Sequence, residues 1–235
     1  MSTSSPTRVQ SRSVSTSSKI GWGVVALLAL AIAAVSAGIY ASQPLDDLAE
    51  GSEVARTYAE GSTFLRSALY VHIVSACAAL VLGPAQFSQR LRRRFTATHR
   101  VMGRIYAVSV VVGALSGLVI APSNSAGAIG TAGFGLLGAL WLGTVILAVR
   151  AARRRDLARH QAWMIRNYSL TFAAVTLRLW LIVLIVIYMA LGAENDDEAF
   201  ASAYLWVPFL CWVPNIVFAE WWVRQRGLPA VARPR

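Results

Sequence analysis

Apolar residues along this chain run in six stretches of about twenty, and the polar gaps between them alternate in charge. A hydrocarbon layer of roughly 30 Å takes about twenty helical residues to cross, at about 1.5 Å of rise each. Residues 20–40, 65–88, 101–121, 126–148, 163–191 and 200–222 therefore read as six transmembrane helices. None alternates in polarity as barrel strands do. The predicted fold is an all-α polytopic membrane protein: a disordered tail (1–19) rich in Ser and Thr, an anchor helix (20–40), a four-helix core of segments two to five (65–191), a sixth helix (200–222) and a short tail (223–235). Ser36, Ala37 and Gly38 offer a signal-cleavage site, but the first run is longer than a signal core, which favours a retained anchor.

Composition agrees, with 56% hydrophobic and 14% charged residues. The net charge of +11 would suit a nucleic-acid binder, so the placement of the charges decides. Of 22 basic residues, 19 fall in the two tails and in the turns 90–104 and 150–166; of 11 acids, nine fall in the gaps before segment two and before segment six. Basic loops stay cytoplasmic, so both termini are expected inside a multi-pass inner-membrane protein. The basic face then meets anionic lipid headgroups, and no basic soluble domain is left to bind nucleic acid. Cys77 and Cys211 lie inside apolar runs and read as small packing residues.

The two basic turns resemble each other. Leu82-Gly83, Arg90, Arg92 to Arg94, His99, Met102, Arg104 and Tyr106 are echoed by Leu142-Gly143, Arg150, Arg153 to Arg155, His160, Met164, Arg166 and Tyr168. Any cytoplasmic turn collects arginines; the repeated His and Met-x-Arg-x-Tyr suggest duplicated hairpins related by a pseudo-twofold axis. In segment five, His160, Met164, Asn167, Thr171, Ala174 and Arg178 keep three-four spacing, one face predicted to point into the bundle. Arg178 lies eleven residues past Asn167, about 16 Å deeper and near mid-bilayer, where a lone Arg costs at least about 2.5 kcal/mol and calls for a polar partner. In segment two, His72, Ser75, Ala79, Gly83, Gln86 and Arg90 form a matching face, while Gly113, Gly117 and the glycines of segment four offer surfaces for close packing or a flat ligand.

His72, Leu82-Gly83-Pro84-Ala85-Gln86-Phe87, His99 through Tyr106, and His160 through Tyr168 with Ala173 to Leu179 resemble an uncharacterised bacterial family, domain of unknown function 2306, over roughly residues 72–191. The resemblance implies a multi-pass membrane location and fixes no activity. Its histidine-bearing helices are loosely similar to those of di-haem membrane cytochromes, but three histidines allow one bis-His haem at most.

Three functions compete on these residues. The first is a redox protein holding one haem b between His99 and His160, with Arg104, Arg166 or Arg178 on propionates or on a quinone partner. The second is a cavity protein that binds or moves an anionic small molecule or lipid, using His72, Gln86, Met164, Asn167, Thr171 and Arg178. The third is an accessory subunit docking through Trp206, Trp212, Trp221 and Trp222, placed where interfacial belts put Trp. No nucleophile-base set or phosphate loop points to hydrolysis or phosphoryl transfer, so an enzyme would depend on a cofactor.

Overall fold

Apolar runs specify helices but not where they start; short polar residues supply the starts. Ser62 accepts a bond from the Leu65 amide, Ser88 from Leu91, Asp156 from Arg159 and Asn195 from Glu198, each satisfying an orphan donor of a first turn. The structure, a computed structural model, describes residues 16–231; most of the predicted amino-terminal tail and residues 232–235 lie outside them.

Four long helices match the first four apolar runs: α1 (Thr16–Ser42), α4 (Thr63–Gln86), α6 (Thr96–Ile120) and α7 (Gly127–Arg153). Two short acidic helices, α2 (Leu45–Gly51) and α3 (Glu53–Ala59), precede α4, and α5 (Gln89–Arg94) carries the first arginine triplet. The fifth run is interrupted. It forms α8 (Leu157–Thr171) and α9 (Ala173–Ala190), joined at Phe172, where the Val175 amide bonds the Phe172 carbonyl three residues back. The last run forms α10 (Asp196–Tyr204), α11 (Val207–Leu210) and α12 (Val213–Gln225), bent by 53° after α10, with Pro208 and Pro214 opening the second and third pieces. Five helices or helix pairs are thus long and apolar enough to cross a membrane, and six if the bent pair is one span.

α4 packs along α6, α6 along α7 and α7 along α8, while α4 also touches α8. α1 lies on α4 and reaches α9, α12 lies on α8, and α11 contacts α7 and α9. Large apolar side chains such as Leu27, Val74, Val108, Ile182 and Val217 are exposed around the outside, whereas Arg166, Asn167 and Thr171 are at most 4% exposed. Polar groups inward and apolar groups outward is the arrangement that hydrocarbon solvent selects. The chain turns carrying arginine triplets form one end, called here the basic end, and α2, α3 and α10 lie at the acidic end.

Gly83, Pro84 and Tyr168 fix the contact between α4 and α8. Pro84 lacks an amide proton, which leaves the Leu80 carbonyl without its helical partner. The Tyr168 hydroxyl donates to that carbonyl at 3.3 Å, and its ring lies over Gly83, where an added Cβ would collide with the ring. Trp22 of α1 donates to the Pro84 carbonyl at 3.0 Å. Gly83-Pro84 therefore serves as a socket that receives one helix on each side.

Candidate functional site

At the centre of the bundle Asn167 is fully buried and every polar atom of its side chain is used. Its amide donates to the Trp141 carbonyl (2.9 Å) and to Thr144 Oγ1 (2.8 Å), and its Oδ1 accepts from the Tyr106 hydroxyl (2.6 Å). Thr171 Oγ1 lies 2.9 Å from the Tyr106 hydroxyl and accepts from Trp141 Nε1 at 2.9 Å. This network joins α6, α7 and α8 and leaves Asn167 and Thr171 no free polar group for a ligand, contrary to their expected place in a cavity. Met164, one turn away, packs against the same core.

At the basic end the polar groups are less settled. Gln86, at the end of α4, is 6% exposed, and its Oε1 faces Gly103 of α6, where a Cβ would stand 3.2 Å away. His99 lies one turn before Gly103 on the same face of α6. Gln86 Nε2 and His99 Nδ1 are the two buried side-chain polar atoms without a partner among the described residues. His160 Nδ1 donates to the Ala148 carbonyl at 2.9 Å, which places a proton on that nitrogen and leaves Nε2 without a partner in the same contact. His99 lies within electrostatic reach of His160, Arg92 and Arg100. His99 therefore lies in a setting of like charge, with Gln86 across the α4–α6 seam at Gly103, one turn further along α6. Arg226, just past α12, has its charge disfavoured first by burial and then by the nearby Arg92.

The remaining predicted residues lie elsewhere. Arg166 is 3% exposed and committed: its Nε and Nη2 reach Glu220 Oε2 at 2.8 and 2.7 Å, Nη2 also donates to the Pro229 carbonyl, and the head stacks on Trp163. Glu220 thus takes the place predicted for a propionate or quinone. Arg104 lies on the exposed side of α6. Arg178 does not continue the stripe into the bundle; past the interruption at Phe172 it turns to α1, donating to Ser36 Oγ (2.8 Å) and to the Ala174 carbonyl (2.7 Å). His72 donates from Nδ1 to the Gly113 carbonyl at 2.8 Å, its ring set against Gly117, so the Gly-x-x-x-Gly face holds an imidazole.

Among the four tryptophans assigned to an interfacial belt, Trp206 and Trp221 are exposed, but Trp212 is 6% exposed and donates to the Pro208 carbonyl, a core residue. The two turn motifs also differ in their surroundings: Gly83 receives Tyr168, whereas an added Cβ on Gly143 would meet nothing. Cys77 and Cys211 are both free thiols, half-buried and buried respectively.

Lipid-facing apolar helices around a hydrogen-bonded polar interior define a polytopic α-helical membrane protein. The family described as "Predicted membrane protein (DUF2306)" matches residues 69–223, more than half of the chain, and the chain belongs to that family. No curated protein and no solved structure matches it.

Proposed function

We propose that the protein binds the anionic headgroup of a membrane lipid at its basic end, between Gln86, His99 and His160. The observation that carries this reading is the pair of unpartnered polar atoms, Gln86 Nε2 and His99 Nδ1; the Gln86 side chain faces Gly103, one helical turn along α6 from His99. A buried polar group without a partner costs about 1–3 kcal/mol, so a ligand oxygen that reaches both recovers that cost. Arg92 and Arg100 beside His99 favour a negative ligand. In this reading the basic end faces the cytoplasm of an inner membrane with both termini inside, which reporter fusions at each terminus would test.

The test uses the purified chain in nanodiscs of neutral lipid, titrated calorimetrically with dihexanoyl phosphatidate, dihexanoyl phosphatidylcholine and inorganic phosphate. Phosphatidate is expected to bind, and Gln86→Leu to weaken it about tenfold, the equivalent of about 1.4 kcal/mol, without lowering the unfolding midpoint. Binding of inorganic phosphate with equal strength would identify a free-anion site. Equal binding of phosphatidate by wild type and by both Gln86→Leu and His99→Ala would refute the reading.

The proximity of His99 and His160 favours a second reading, one haem b between them. The ring nitrogens suit axial ligation, and the haem would supply one-electron chemistry. The propionates fit less well, since Arg166 is held by Glu220 and Arg178 by Ser36, leaving only exposed Arg104. A reduced-minus-oxidised spectrum of protein from haem-supplied cells separates the two readings: a Soret shift lost in His160→Ala selects haem.

A further inference from the structure

Arg178 is a cation without an acid. The ion pairs among the described residues are Arg66–Asp46, Arg159–Asp156, Arg166–Glu220 and Arg224–Glu220, and none includes it. Its guanidinium has five donors; one goes to the Ala174 carbonyl and one to Ser36 Oγ. Ser36 lies six residues, or about 9 Å, from the acidic-end terminus of α1, and Tyr40 follows one turn further on the same face. The ionisable groups within reach of the Arg178 charge are Cys77 and Tyr40.

Cys77 also lines an apolar groove between α1 and α4, of about 520 Å³, whose walls include Leu30, Ala34 and Ala37 opposite Ala78 and Val81. That volume is within the usual range for small-molecule sites, roughly 300–1,000 Å³. The Cys77 thiol contacts the Ala33 carbonyl, one turn below Ser36, so the groove adjoins the guanidinium. Small residues on both walls leave a slot, and Ala34 and Ala37 are exposed to the lipid side. A charge at this depth costs several kcal/mol unless it is matched, and a carboxylate matches the guanidinium fork in both charge and geometry.

We propose that Arg178 and Tyr40 bind the carboxylate of a long-chain fatty acid that enters from the lipid and lays its chain in the α1/α4 groove, while Ser36, whose own proton goes to the Ile32 carbonyl, holds the guanidinium in place. The site is separate from the one at the basic end and does not rest on it.

The purified full chain, in neutral detergent, is titrated with dansyl-undecanoate by fluorescence, then displaced with oleate or with oleyl alcohol, which has a similar chain and no charge. Oleate is expected to displace the probe at least about tenfold more effectively than the alcohol, a preference of about 1.4 kcal/mol. Arg178→Gln should abolish that preference, and Ala34→Trp, a lipid-facing change, should weaken both ligands by filling the slot. Should Arg178→Gln not fold, Arg178→Lys keeps the charge and loses the fork, and should reduce the preference severalfold. No preference for oleate in the wild type, or its survival in the folded Arg178 variant, overturns the proposal. Loss of the preference in Gln86→Leu instead would move the carboxylate to the basic end and overturn it equally.

Discussion

Replacing Glu220 with Gln should loosen the last helix from the rest of the molecule, by an amount the geometry bounds. Arg166 is almost wholly buried, and among the described residues Glu220 is the one carboxylate that meets it, through two nitrogens on a single oxygen. Removing one partner of a fully buried pair costs about 3–5 kcal/mol, because a charge is left without compensation. Two features reduce that figure here. Glu220 is a quarter exposed, and the Gln amide oxygen still accepts one bond, while Trp163 and the Pro229 carbonyl continue to contact the guanidinium. We expect a loss of about 2–3 kcal/mol. Equilibrium unfolding in mixed micelles with increasing dodecyl sulfate, followed by tryptophan fluorescence, measures it. The double variant Arg166→Met, Glu220→Leu, which removes both charges, should return to within about 1 kcal/mol of wild type. A Gln variant as stable as wild type, or a double variant no better than the single, would show that the ion pair does not hold α12 to α8.

Two further changes probe the packing. Tyr106→Phe keeps the ring and deletes the hydroxyl that meets Asn167 and Thr171; at about 0.6 kcal/mol per intramembrane bond it should cost about 1 kcal/mol in the same assay. In a cycle with Asn167→Leu the two losses should add to less than their sum, and strict additivity would argue against a shared network. Gly83→Ala should destabilise by about 1–3 kcal/mol through collision with the Tyr168 ring, and pairing it with Tyr168→Leu should recover part of the loss. A neutral Gly83→Ala would mean that α4 and α8 separate at little cost.

The apolar runs revealed the long helices because length and hydropathy alone decide insertion. They were silent on the interruption at Phe172, where neither Pro nor Gly marks the change and the sequence reads as one continuous span. The stripe from His160 to Thr171 was therefore read correctly as inward-facing, while its extrapolation to Arg178 pointed toward the wrong neighbour. The Arg166–Glu220 pair joins residues 54 apart, and no local spacing connects them. Tyr106 was visible only as an element of a repeated motif; that its hydroxyl satisfies Asn167 depends on how α6 packs beside α8. His99 and His160 were paired by motif symmetry alone, whereas Gln86 meets α6 through its contact with Gly103 across the α4–α6 seam, which no motif spacing marks.

The interruptions of the fifth and last spans are fastened to each other. Asn215 donates to the Ser169 carbonyl and to Thr176, and Thr176 donates to the Cys211 carbonyl, so backbone groups released on either side of both breaks are taken up across the gap. Such a stitch resists sliding of one segment past the other but offers little resistance to swivelling about itself. The stitch thus ties α9 to the start of α12, with Arg178 six residues beyond Phe172 and His160 twelve residues before it. The two breaks are held against each other by side chains rather than left open to the surrounding hydrocarbon.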